Sequence, residues 1–204
     1  MTLTSIATLF ISMVVLAAVP SISVITVITR SVSNGFIHGA MIACGIVIGD
    51  LVYIAIAIFG LSVLADALGD MFVVIKYLGG AYLLWLGLSL WRTRFKTATA
   101  TGIAELSLFS SFIAGLLITL GDQKAILFYL GFFPAFIDLD TLSQADVGLI
   151  VGITILAVGG TKLAYAYMAA KAGRLLANAR LMSAINRLAG AVMIAIGIVV
   201  ITRT

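Results

Sequence analysis

Apolar residues run along this chain in blocks much longer than the period of an amphipathic helix. Uninterrupted or nearly uninterrupted stretches cover residues 3–29, 39–64, 71–91, 108–137, 147–169 and 185–201. About 20 apolar residues cross a bilayer as a helix, so the pattern predicts an all-α integral membrane protein with six transmembrane helices. The first block carries no charge, and the fourth is the longest, which suits a tilted or broken helix. Two blocks have polar interruptions, Pro20-Ser21-Ile22-Ser23 in the first and Gly121-Asp122-Gln123-Lys124 in the fourth. Helices one and four are therefore expected to be broken.

Charges between the blocks sort by side. Loops after blocks one, three and five hold Arg30; Arg92, Arg94 and Lys96; and Lys171, Arg174, Arg180 and Arg187. The opposite loops hold Asp66, Asp70, Asp138, Asp140 and Asp146, with Lys76 and Arg203 as their basic residues. Basic loops stay in the cytoplasm, which places both termini outside. A Thr/Ala/Gly-rich linker, residues 92–105, divides the chain into halves of about 1–92 and 106–204. Three helices per half send the second half into the membrane from the other side, the arithmetic of two inverted three-helix repeats. Residues 1–204 thus form a single transmembrane domain. Weak internal likeness agrees: Gly49-Asp50 in block two faces Gly160-Thr161-Lys162 in block five, and Gly80 and Gly87 match Gly190 and Gly197 in spacing.

Composition narrows the class further. The chain is 63% hydrophobic and 10% charged, with a mean hydropathy of +1.25, whereas soluble domains average about 25% charged residues. This leaves no room for a soluble domain. The start lacks the basic region of a signal peptide, so Met1 onward is expected to be retained. The net charge of +4 lies in membrane loops and does not indicate nucleic acid. One cysteine, Cys44, and one histidine, His38, exclude an internal disulfide and make a Cys or His metal cluster improbable. With no phosphate-binding loop and no nucleophile–base pair, neither a cofactor nor an enzyme is expected. His38, near the cytoplasmic end of block two, is expected to be solvated.

Four charged residues lie well inside the blocks: Asp50, Asp122, Lys124 and Lys162. A charge at the bilayer centre costs about 2.5–3.5 kcal/mol on insertion scales, so such residues face a polar interior and mark a pathway. The competing view makes them buried pairs that only fix packing. Asp122 and Lys124 are two apart and point to different faces of a regular helix; either the backbone is irregular there or each has a partner elsewhere. Pro20 removes a backbone donor, and Ser21 and Ser23 are placed to satisfy the freed backbone. Tyr53, one turn from Asp50, is the aromatic residue expected to line a cavity. Gly35, Gly39, Gly45 and Gly49 give two GxxxG spacings, best read as close helix packing. The candidate substrate or ion site is therefore Pro20, Ser21, Ser23, Asp50, Tyr53, Asp122, Gln123, Lys124 and Lys162.

Three runs resemble the lysine exporter (LysE/RhtB-type) family of amino-acid exporters over nearly the whole chain. The stretch from Val19 to Leu61 is similar to the family's opening block: a proline motif, a basic residue, then spaced glycines leading to Gly49-Asp50. IKYLGGAYLLWLGLSLWR resembles its third helix, and GLLITLGDQKAILFYLGFFPAFID its fourth. The family's usual Pro-Gly-Pro is here Pro20-Ser21-Ile22, and its Asn-Pro-Lys is Asp122-Gln123-Lys124. The resemblance implies export of amino acids or their derivatives in exchange for protons.

The expected function is a secondary exporter of amino acids or related metabolites in a bacterial inner membrane. Its partners are the small-molecule substrate, protons and the lipid bilayer; monomer and homodimer both remain open. An inorganic cation permease and a non-transporting membrane scaffold are the alternatives.

Overall fold

The computed structural model describes residues 3–68, 107–129 and 142–176, with isolated positions between 81 and 92 and between 183 and 198. Block 71–91 and the linker 92–105 lie almost wholly outside the described residues, and block 185–201 about half outside them. Everything described in regular structure is helical.

Helix α1 (Leu3–Ala18) stops just before Pro20. Pro20 has no N–H for the Leu16 carbonyl, and the last turn tightens instead, with Val19 N–H donating to Val15 and Leu16 at 3.1 and 3.3 Å. The chain passes through an extended Ser21 into α2 (Ile22–Asn34), bent by 61° from α1. Gly35 ends α2 at φ 89°, a conformation that favours glycine, and its N–H closes on the Ser31 carbonyl at 3.1 Å.

Helix α3 (Phe36–Leu68) includes an apolar run, Phe36–Gly60, of 25 residues. That is long enough to span a bilayer. α4 (Leu108–Leu120) starts at Ser107, whose hydroxyl accepts from Ser110 N–H at 3.1 Å. It lies against α3 closely enough that only small residues fit: a methyl on Gly45 would strike the Phe112 and Leu116 backbone, and one on Gly115 the Ile42 carbonyl. Gly49 meets Thr119 in the same way. The Gly45–Gly49 spacing thus acts as a packing surface, whereas Gly35 serves as a helix end. His38 is half-buried at this contact, with Nδ1 3.0 Å from Ser111 Oγ; it ties α3 to α4 instead of facing solvent.

α4 breaks at Gly121-Asp122, and a short helix, α5 (Gln123–Leu127), follows. Further on, α6 (Gln144–Thr154) opens with a reciprocal cap between Ser143 and Asp146. A widened π turn, Ile155–Gly159, leads without a break into α7 (Gly160–Leu176). Gln144–Lys171 forms a second apolar run of spanning length, 28 residues. The bent α1–α2 pair is a third candidate span among the described residues.

Leu9, Met13, Val24, Val27, Ile42, Phe128 and Ile150 are buried between these helices. Phe59, Phe109 and Leu156 are exposed on the outside, as a lipid-facing surface requires. Several buried hydroxyls satisfy themselves within their own helix: Ser12 on Thr8, Ser31 on Val27 and Thr154 on Ile150, at 2.6–2.9 Å. They are part of the packing. Among the described residues, the buried charged side chains, Asp50 and Lys162, collect in one place.

Candidate functional site

That place is where the two helix breaks meet the middles of α3 and α7. A cavity of about 40 Å³ is lined by Ser21 and Ser23 from the first break, Thr119, Asp122 and Lys124 from the second, Asp50 from α3 and Lys162 from α7. Leu16, Val19, Ile46, Ala125 and Val158 complete its wall. Lys162 is 2% exposed and Asp50 6%. Six of the nine residues singled out in the sequence therefore share one cavity.

Each charged side chain has a local reason for its position. Lys162 Nζ donates to the Ala17 carbonyl at 2.9 Å and to Ser23 Oγ at 3.0 Å. Ser23 is also linked to Ser21, Oγ to Oγ, at 2.9 Å. One turn along α7, the Tyr165 hydroxyl donates to the Ala18 carbonyl at 2.9 Å. In an unbroken helix those carbonyls would await the N–H groups of residues 21 and 22, which the break carries away. The sixteen-residue α1 thus ends on two side chains of α7.

The second break is built similarly. Asp122 stands outside the helix as the N-cap of α5, its carboxylate accepting from the Lys124 backbone N–H at 2.9 Å. This resolves the i, i+2 puzzle: the backbone is irregular, and Asp122 meets the amide of Lys124 rather than its ammonium. The Leu120 carbonyl at the end of α4 accepts from the Tyr53 hydroxyl at 2.6 Å. Tyr53 is not among the residues that line this cavity. It is buried, stacked on Tyr129 with ring centroids 6.2 Å apart. Tyr129, fully enclosed and packed edge-on against Phe128, is a hydrogen-bond partner of the Asp50 carboxyl. Tyr129 is not one of the nine candidate residues, because nothing in its sequence context ties it to Asp50.

Pro20 is buried and lines a larger hollow of about 670 Å³ beside the cavity. The two share Ser21, Asp122 and Lys124, and the hollow adds Ile22, Ile25, Leu117, Ile118 and Gly121. Gln123 opens α5; its side chain is outside the described residues. At 40 Å³ the cavity has space for a water or an ammonium group, not for a whole metabolite. The hollow is of the size that takes small molecules. Among the described residues no group of three metal-ligating side chains is present.

The profile of the LysE type translocators matches residues 14–204. The chain belongs to the LysE type translocators. Its relatives include an uncharacterized membrane protein of Synechocystis, 48% identical over 196 residues, covering 95% of this chain and 94% of the relative. An uncharacterized membrane protein of Vibrio cholerae is 32% identical over 178 residues, 85% of this chain and 86% of the relative. The leucine efflux protein of Salmonella typhimurium is 32% identical over 155 residues, 74% of this chain and 71% of its own length. No solved structure matches the chain. Members of this family are translocators, so this LysE type translocator is a membrane transporter of a small molecule rather than an enzyme.

Proposed function

We propose that this translocator exports a small neutral amino acid of the leucine kind from the bacterial cytoplasm in exchange for protons. The observation that carries the proposal is the cavity, where two broken helices bring Asp50, Asp122, Lys124 and Lys162 around one space. Two acids and two bases balance, and a zwitterion preserves that balance on entry. Its ammonium group enters the cavity, where the carboxylates of Asp50 and Asp122 balance its charge. Its carboxylate faces Lys124 and the first turn of α2, whose N–H groups lack intrahelical acceptors and carry the positive end of the helix dipole. Ile22, Ile25, Leu117 and Ile118 in the adjoining hollow suit an apolar side chain. The leucine efflux relatives support the same substrate class.

Asp50 is the group proposed to exchange its proton for the substrate. A buried carboxyl holds either a proton or a cationic partner, because an unpaired charge there is too costly. Asp122, engaged as a helix cap, is the less suitable carrier.

The six-helix, two-repeat reading is part of the same proposal. Asp50 and Tyr53 are three apart on α3, as Lys162 and Tyr165 are on α7, and each tyrosine closes the end of the other half's broken helix. This exchange suits inverted repeats that rock against each other about a central site. The loop charges orient both termini to the outside.

Proteoliposomes containing the purified protein provide the test, using labelled amino acids, polyamines and divalent cations with and without a pH gradient. Gradient-driven flux of leucine or a close neighbour is the expected result. Flux of divalent cations alone would replace this function with an ion permease, and flux of none of these compounds would favour the scaffold.

A further inference from the structure

Resting on the amino-acid reading above, we propose that the Ala17 carbonyl and the Ser23 hydroxyl form the amine subsite, held here by the Lys162 ammonium until a substrate's ammonium displaces it. Lys162 is then a tethered stand-in for the substrate.

The chemistry of the slot supports this assignment. Lysine ends in a primary ammonium on a methylene, with three N–H donors and no acceptor. An amino acid presents the same donors on its α-carbon. Two of the Lys162 donors are used, at 2.9 and 3.0 Å, and both acceptors are neutral oxygens. Such a slot recognises a cation by hydrogen bonds and by the negative end of the α1 dipole, and it needs no carboxylate of its own.

Its position also fits. The slot is at the broken end of α1 and opens on the cavity whose other walls carry Asp50 and Asp122. A displaced Lys162 therefore has a carboxylate within the same enclosure to meet. Tyr165 on the Ala18 carbonyl keeps the helix end in place while the neighbouring carbonyl changes partner. The Ala17 carbonyl and the Ser23 hydroxyl already accept from Lys162 Nζ at 2.9 and 3.0 Å, so lysine and substrate compete for the same two oxygens. A quaternary ammonium is excluded, since it has no N–H to donate.

The experiment measures thermal unfolding of the detergent-purified Lys162→Ala variant with n-propylammonium, tetramethylammonium or n-propanol added at millimolar concentration. Propylammonium restores the missing group and is expected to raise the variant's Tm by about 3–5 °C, leaving the wild type unchanged. Leucine should compete with it, whereas 4-methylpentanoate, which lacks the amine, should not. Equal stabilisation of the wild type, equal stabilisation by tetramethylammonium, or no stabilisation would each overturn the proposal.

A second variant covers the case in which Lys162→Ala does not fold. Lys162→Gln keeps two N–H donors on a chain one atom shorter and removes the charge, so it is a weaker rival. It should lower the half-saturating leucine concentration in exchange assays by about 5-fold; a rise would make Lys162 a binding group rather than a competitor. Propylammonium stabilisation without leucine flux in the wild type would retain the slot and refute the export reading. Leucine flux without propylammonium stabilisation would do the reverse.

Discussion

Lys162 Nζ donates to the backbone carbonyl of Ala17 across 145 positions of sequence, at 2.9 Å. The contact joins the centre of α7 to the end of α1 and places an ammonium at the negative pole of that helix. A polar backbone left open inside a membrane must find partners within the protein, and here the partners are side chains of the other half. The break at Pro20 and the buried lysine are therefore one structural device. The same logic links Tyr165 to Ala18 and Tyr53 to Leu120.

The two tyrosines should behave as a matched pair. Replacing either Tyr53 or Tyr165 by Phe leaves one helix-end carbonyl without its donor and keeps the ring packed. Each change is expected to destabilise the protein by about 0.5–1.5 kcal/mol. Reversible unfolding in mixed micelles measures both. Strong loss for one and none for the other would refute the equivalence of the two breaks.

Asp122 should be tolerant of Asn and intolerant of Ala. Asn retains an oxygen for the Lys124 N–H, now at 2.9 Å, and should leave both folding and proton-coupled flux near wild type. Ala removes the cap, at a cost of about 0.5–2 kcal/mol. Loss of coupling in Asp122→Asn would transfer the proton role from Asp50 to this residue.

The α3–α4 contact makes a stability prediction of its own. Gly45→Ala and Gly115→Ala press a methyl onto the opposing backbone and should each destabilise by about 1–3 kcal/mol. Gly148 and Gly152 have open space where a Cβ would go. Alanine there should be neutral or stabilising by up to about 1 kcal/mol. Thermal unfolding of the four variants distinguishes close packing from a general need for glycine.

The sequence revealed the breaks and left their partners hidden. Pro20 lacks an N–H whatever surrounds it, and Asp122-Gln123-Lys124 is too polar for an ordinary span, so both interruptions could be read directly. What closes them could not, because the acceptors are backbone carbonyls of Ala17, Ala18 and Leu120, and every residue has one. Tyr53 illustrates the cost: its spacing from Asp50 suggested a cavity wall, while its hydroxyl serves the end of α4. The π turn at Ile155–Gly159 was invisible for another reason. Its residues, Ile-Leu-Ala-Val-Gly, are those of any apolar helix. His38 was read from its place near a helix end, and that reading missed Ser111, 73 residues away.

The central claim is that Asp50 exchanges a proton for an amino acid in this cavity. A pH-sensitive dye sealed inside proteoliposomes tests it when leucine is added outside, with wild type and Asp50→Asn compared in parallel. In the wild type, leucine entry should drive protons out and raise the internal pH. The Asn variant, purified as a folded protein, should give no leucine-dependent pH change. An equal pH rise in Asp50→Asn, or leucine entry in the wild type with no proton movement, would contradict the account.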